Sequence, residues 1–490
     1  MSESKIAYRH ILKATSLLGS VQFITILLSV ARSKIIAVLI GPMGMGISGL
    51  LNASLGILGS FTSFGLETSA IKHISQENKK GNDEVLARVI AVVKKTIWIT
   101  GLIGALATIV FSRLLSELTF GTSDYTMAFV WLSFTLLFKQ ITNGHFAIIQ
   151  GLQQLKLLAK CNLYSNVLGL VLAIPFYYCL GIDAIVPAII TSSVVGVVFS
   201  FYFERRLKIK KTKVTPREVI TEGKEMIQLG LMLSLSGSLV TLVAYLLQIY
   251  ISRSGLVQTG LYTAGITLLN SYVGIIFSTM SADYFPRLAA VNEDNGKVRT
   301  IVQQQALLAV LLLLPIIVVF IVFSPFIIQL LFTDKFMEIV PMVNFGIIGM
   351  FFKAASWSMG YILIAKGDSK LFIKTSIGFN FLFLTMMIFG YFLFGLTGVG
   401  IAFSLYYILH FAVVKVIVKK RYEFYFEKKF LKIFTWGALL CVSVLLSTFL
   451  ENLYLKYSVF LTIIVTSVFL SGYELKREAG INLGFKNLKK

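Results

Sequence analysis

The chain is poor in charge. Of its 490 residues, 14% are Asp, Glu, Lys or Arg and 56% are hydrophobic. An ordinary soluble chain carries about 25% charged and about 45–50% apolar residues, so this composition excludes a protein dissolved in water. Proline is scarce, at 8 residues, and phenylalanine reaches 40 with no low-complexity tract. Disorder, collagen and coiled coil are excluded with it. Cys161, Cys179 and Cys441 lie in apolar stretches, without pairing or metal-ligand spacing, which argues against a disulfide framework and a metal site. Nucleotide chemistry is missing too. No G-x-x-x-x-G-K-[ST] occurs, and the nearest pairs, Gly223-Lys224 and Gly296-Lys297, lack the upstream glycine and the following hydroxyl. H-E-x-x-H, G-x-S-x-G and Cys/His clusters are absent as well. No cofactor is expected. Energy for any uphill work must come from an H⁺ or Na⁺ gradient, or from consumption of the product.

What is present is a train of apolar stretches. A bilayer core takes about 20 apolar residues per helix. Fourteen candidates fit: 11–40, 44–71, 89–111, 125–149, 157–180, 183–203, 226–251, 259–285, 301–323, 339–365, 371–394, 396–418, 431–450 and 457–473. Residues 1–13 are polar and basic, and the run after them is too long for a cleavable signal and lacks a small-residue cleavage site, so it is read as the first span. Tight turns at Gly181-Ile182-Asp183 and Gly395-Leu396 are all that separate two pairs of neighbours. The basic excess, 45 Lys and Arg against 23 Asp and Glu, would suggest nucleic acid in a soluble protein. Here the residues sit in short runs between spans. With the N-terminus inside, the inner segments carry 37 of them and the outer loops 4 (Arg113, Arg253, Lys335 and Lys456). The positive-inside rule then places both termini in the cytoplasm, with no nucleic acid as partner.

The expected fold is an all-α polytopic membrane protein of about fourteen transmembrane helices, with twelve as the alternative. Two six-helix lobes would surround a central cavity. An N-terminal lobe is expected over 1–203, a basic cytoplasmic linker over 204–225, a C-terminal lobe over 226–420, and an extra hairpin with a basic tail over 421–490.

Polar residues at bilayer depth are costly and mark cavities or partner helices. The first span carries Thr15, Gln22, Thr25, Ser29 and Arg32, and the seventh Ser234, Ser238, Thr241, Tyr245, Gln248 and Ser252. Both sets keep three-, four- or seven-residue spacings, which gather them on one helix face. Asn52, Ser63 and Glu67 on the second span match Tyr272, Thr279 and Asp283 on the eighth, as expected of a duplicated lobe. Arg32 and Lys34 lie nine and seven residues before Gly41, roughly 10 Å from the outer end of their helix. Lys139 and Lys353 lie near mid-span, too deep to snorkel. Arg253 stands at the outer end of the seventh span, as a cavity cation or a boundary residue. The embedded acids are Glu67 and Asp283, both candidates for ion coupling. Each has a local alternative: Asp283 with Arg287 at i, i+4, and Glu67 with Lys72 or His73. His145 and His410 read as packed or hydrogen-bonded residues. The sum is a cationic cavity, with Arg32, Lys34, Lys139, Arg253 and Lys353 as charges and Gln22, Ser29, Tyr245 and Gln248 as polar lining. Such a cavity suits an anion.

The run Arg32-Ser33-Lys34-Ile35-Ile36-Ala37 to Gly41-Pro42-Met43-Gly44-Met45-Gly46, with Phe64-Gly65-Leu66-Glu67 and Ile71-Lys72, resembles the start of bacterial O-antigen translocases. These are lipid-linked oligosaccharide flippases of the multidrug/oligosaccharidyl-lipid/polysaccharide exporter superfamily. Ser281-Ala282-Asp283-Tyr284-Phe285-Pro286-Arg287-Leu288 is similar to the D-Y-x-P-R-L element of their eighth helix. Leu331-Phe332-Thr333-Asp334-Lys335-Phe336 and Ile364-Ala365-Lys366-Gly367 also look like the family. The resemblance covers roughly residues 10–420 and leaves out the hairpin at 431–473. It implies two lobes that rock between inward and outward states. It also implies a cargo of undecaprenyl-pyrophosphate-linked oligosaccharide, moved to the periplasmic leaflet of the bacterial inner membrane. Membrane lipid, a polysaccharide polymerase and a chain-length regulator are the partners that go with it. The alternatives are a multidrug or peptidoglycan-precursor exporter of the same superfamily, and a membrane polysaccharide polymerase or ligase. A cationic cavity disfavours the drug exporter, and short outer loops without histidine disfavour the enzyme.

Overall fold

The computed structural model describes residues 24–207, 209–210 and 212–479. The described residues are helical almost throughout and include no β-strand. Ten helical stretches are long and apolar enough to cross a membrane. Two of them, Leu155–Glu204 and Ser369–Tyr422, run to 50 and 54 residues. A straight 50-residue helix would measure about 75 Å, more than twice a bilayer core of about 30 Å. Each turns back at a glycine in the left-handed region, Gly181 (φ 57°) and Gly395 (φ 58°). The second turn is sealed by backbone contact: a Cβ on Gly398 would fall 1.8 Å from the Gly390 carbonyl oxygen.

The chain divides into two compact units, Met1–Gly260 and Leu261–Lys490. In the first, α1 (24–39) leads into α2 (Gly41–Ser63), which opens on Gly41 with φ 64° and Pro42 in its first turn. Proline there needs no N–H partner. The expected continuous span 44–71 is broken. Phe64 and Gly65 both take positive φ, 49° and 64°, so α3 (Leu66–Lys80) starts as a separate helix. Then follow α4 (Asp83–Val110), α5 (Ser112–Phe120), α6 (Thr126–Gly151), α7 (Leu155–Leu180), α8 (Ile185–Glu204) and α9 (Pro216–Ser252). The short α5 occupies what reads as an outer loop. Its Arg113 and Glu117 pair at i, i+4.

Helix α9 begins at Pro216, inside the basic linker region. Thr215 and Glu218 form a capping box around its first turn. The carboxyl of Glu218 is held below its ordinary range, first by the backbone N–H of Thr215 and then by its hydroxyl. Helix α9 crosses the α2–α3 junction at two glycines. A Cβ on Gly65 would lie 2.1 Å from the Gly230 carbonyl oxygen, and one on Gly230 2.4 Å from that of Phe64. Buried apolar side chains from α3, α4, α6 and α9 fill the space between, with Ile74, Val92, Val93 and Ile148 fully enclosed.

The second unit contains most of α10 (Leu256–Thr267), a π-helical turn over Leu268–Val273, and α11 (Ile275–Ala289). These interrupt the expected span 259–285. After them come α12 (Asn295–Leu331), α13 (Val340–Ala365), α14 (Ser369–Tyr422), α15 (Lys428–Ser447) and α16 (Leu453–Ala479). The additional hairpin, α15 and α16, packs on α12. Phe351 of α13 stacks on Phe434 of α15 with centroids 5.1 Å apart.

Candidate functional site

A cavity of about 250 Å³ opens inside the first unit, between α1, α2, α6, α7 and α8. Its two charged lining residues are Arg32 of α1 and Lys139 of α6. They lie within electrostatic reach of each other. Amides line it at Asn52, Asn143, Asn162 and Asn166, and hydroxyls at Thr142, Ser192 and Ser193. No carboxylate lines it. Thr142 Oγ1 is buried without a hydrogen-bond partner, and Asn52 Nδ2 is occupied by the Ser48 carbonyl at 2.9 Å. Two cations of like sign, embedded with neutral donors, leave a positive potential that an anion neutralises at least cost. Inclining α1 and α6 toward one cavity joins charges that the sequence shows far apart.

The other candidates lie elsewhere. Lys34 and Ser29 are on α1 but outside the cavity lining. Gln22, with Thr15, falls outside the described residues. Arg253 is a structural residue. Its Nη2 donates to the Leu118 carbonyl at 2.7 Å and the Glu117 carbonyl at 3.5 Å, at the C-terminal end of α5 where carbonyls lack helical partners. Gly121 (φ 80°) leaves room for the guanidinium, since a Cβ there would meet Arg253 at 2.2 Å. Tyr245 is tied to the same end of α5: its hydroxyl lies 2.6 Å from Thr119 Oγ1, buried. Ser252 Oγ also donates to the Thr119 carbonyl, at 3.2 Å, so this end of the α9 stripe is a helix–helix seam. Gln248, farther along it, keeps a buried Oε1 without a partner.

Glu67 does not extend α2. It stands in the first turn of α3, where the helix N-terminus favours a negative charge. Its side chain is exposed, and no ion pair to it occurs among the described residues. Asp283 pairs with Arg287 at 2.8 Å, the local alternative read from their spacing.

In the second unit, Lys353 of α13 has its Nζ 3.4 Å from Asn270 Oδ1 on the π turn. It lies 5.4 Å from the ring centroid of Phe277 and 5.1 Å from that of Tyr407. Aromatic faces hold a cation without neutralising it.

One cluster escapes sequence reasoning. His145 Nδ1 lies 2.9 Å from Glu204 Oε2, both side chains buried, and Lys94 of α4 reaches the other carboxylate oxygen. Nothing local marks the three as partners, since they come from three helices. The one signal is an acid placed at the inner end of an apolar run.

The family model for polysaccharide biosynthesis proteins matches residues 35–341. The chain belongs to that family. A Shigella flexneri protein named "Putative O-antigen transporter" is 23% identical over 378 residues, covering 76% of this chain and 88% of that protein. Among solved structures, the lipid II flippase MurJ in an inward closed conformation superposes with a TM-score of 0.66 at 14% identity, covering 95% of this chain and all of that one. An inward-facing multidrug transporter of the MATE family, of the MOP superfamily, gives 0.69 at 16% identity over 84% and 98%. The fold is thus that of this exporter superfamily, whose name abbreviates multidrug, oligosaccharidyl-lipid and polysaccharide. The similar proteins are transporters and flippases, not enzymes. This member of the polysaccharide biosynthesis family is a multi-pass membrane protein with the fold of these transporters.

Proposed function

We propose that the protein is a flippase for a diphosphate-linked lipid oligosaccharide, with an undecaprenyl carrier and an O-antigen or related repeat unit. It moves its cargo from the cytoplasmic to the periplasmic leaflet by alternating access. The observation that carries this reading is the cavity holding Arg32 and Lys139 among amides and hydroxyls, with no acid in its lining. Guanidinium and ammonium groups replace the hydration of a phosphate with charge-assisted hydrogen bonds. Amides and hydroxyls offer the donors and acceptors that sugars require. The polyprenyl tail stays in lipid. A cationic drug would meet repulsion at the same place.

The finer architecture belongs to this proposal. Ten membrane-length stretches, two of them folded back, together with α1 and α6, are compatible with fourteen crossings. The basic bias of alternate loops supports both ends in the cytoplasm. With no nucleotide-binding motif in the sequence, an ion gradient is the proposed source of energy. The test is a flipping assay with reconstituted protein and defined lipid-linked oligosaccharides. Transfer of a diphosphate-linked oligosaccharide lipid across the vesicle membrane is the expected result. Transfer of a cationic drug or of a peptidoglycan precursor alone would replace this reading.

A further inference from the structure

Lys353, Trp357 and Tyr361 follow one another on α13 at four-residue intervals, which places them on one face of the helix. The face begins with a charge and continues with two rings. Trp357 and Tyr361 have centroids 5.1 Å apart. Both rest on Tyr284 of α11, at 5.6 and 5.5 Å. Tyr284 is fully buried and donates its hydroxyl to the Ser358 carbonyl at 2.7 Å, so it forms a fixed floor. Trp357 and Tyr361 are only half-buried. Beyond Tyr361 the neighbouring face of α11 exposes the ion pair of Asp283 with Arg287. A lipid-facing stripe would be apolar along its length, whereas this one begins with the charge of Lys353.

We propose that Trp357 and Tyr361 form a sugar-stacking platform for the oligosaccharide of the cargo. This rests on the flippase reading above. Lys353 is held by an amide and two aromatic rings, with no carboxylate among these partners. A pyranose presents a face of C–H groups, weakly positive, which fits the negative face of an aromatic ring. Stacking of this kind tolerates different sugars, because it reads the shape of the ring and not its hydroxyl pattern. Hydrogen bonds from Asn270 and the Asp283–Arg287 pair can then orient the ring edges. The interrupted geometry of the π turn, which places Asn270 beside Lys353, is a device found often at functional sites.

The test measures binding of two soluble probes to the purified full-length protein: farnesyl diphosphate, and farnesyl diphosphate carrying an N-acetylglucosamine disaccharide. Trp357→Leu and Tyr361→Leu are each expected to weaken the disaccharide probe about three- to tenfold and to leave farnesyl diphosphate unchanged. Trp357→Phe preserves a stacking ring and is expected to bind nearly as the wild type does. Equal losses for both probes, or no loss for either, overturn the platform and make these rings packing residues. The flipping assay separates the two levels of the argument. Wild-type protein that flips the lipid-linked oligosaccharide no better than Trp357→Leu and Tyr361→Leu proteins refutes the platform alone. Wild-type protein that flips no such lipid refutes the flippase reading.

Discussion

Arg32 and Arg253 are both guanidinium groups read from the sequence as cavity charges, and their surroundings give them opposite assignments. Arg32 lines a polar cavity with Lys139 and no acid, whereas Arg253 donates to the last carbonyls of α5. Replacing them should therefore fail in different ways. Arg32→Gln and Lys139→Gln each remove a charge-assisted contact of about 1.5–3 kcal/mol, and are expected to lower the flipping rate about tenfold or more at normal protein level in the membrane. Lys34→Gln, outside the lining, is expected to cost less. Arg253→Gln is expected to lower thermal stability by up to about 1 kcal/mol without changing cargo affinity, as read by melting and binding on one detergent-purified sample. Sequence spacing could place Arg32 at bilayer depth, but not beside Lys139, because that approach depends on how α1 and α6 pack. The role of Arg253 was equally hidden, since its partners are backbone carbonyls of α5 and carry no side-chain signature.

Helices were legible wherever a long apolar run ended in glycine or charge. Gly181 and Gly395 each mark a reversal visible in the sequence. The break at Phe64–Gly65 was not, because Phe64 is a non-glycine residue in the left-handed region. Its cause lies in packing: α9 comes so close that Gly65 and Gly230 meet backbone to backbone. Gly230→Ala should thus force α9 outward and destabilise the first unit by about 1–3 kcal/mol, seen as a lower melting temperature. A second element-scale expectation concerns α14. Asp368 caps it by accepting from the Leu371 N–H at 3.3 Å, and also meets Tyr422 and Arg421. These contacts, the backbone one first in weight, hold its carboxyl below the usual range against an opposing desolvation. A depressed carboxyl contributes stability that is present above the unfolded-state value of about 4 and is lost as pH falls through the folded value. Melting of the wild type should therefore drop as pH is taken from about 5 to about 3. Asp368→Asn should start lower and lose less over that interval.

For the whole molecule the open quantity is the source of work. The 490-residue sequence contains no phosphate-binding loop motif, and the gradient of the proposed function would act on groups that gain or lose an ion as the protein changes state. Of the two embedded acids read from the sequence, Asp283 is paired with Arg287 at 2.8 Å. Glu67 has no such partner among the described ion pairs and sits where α2 ends and α3 begins, a junction whose two positive-φ residues make it a natural place for a backbone hinge. Glu67 is therefore the better coupling candidate. In vesicles with protein and lipid-linked oligosaccharide, an imposed pH or Na⁺ gradient should accelerate flipping, and the matching ionophore should abolish the acceleration. Adding ATP should change nothing. Glu67→Gln should keep the protein stable and its cargo affinity intact while removing the response to the gradient. A gradient response that survives Glu67→Gln would eliminate this residue and turn attention to the buried His145 and Glu204 with the half-exposed Lys94, where a carboxylate is shared between two bases. If melting falls together with transport in Glu67→Gln, the carboxylate serves the start of α3 and not coupling, because a negative charge there also complements the helix N-terminus.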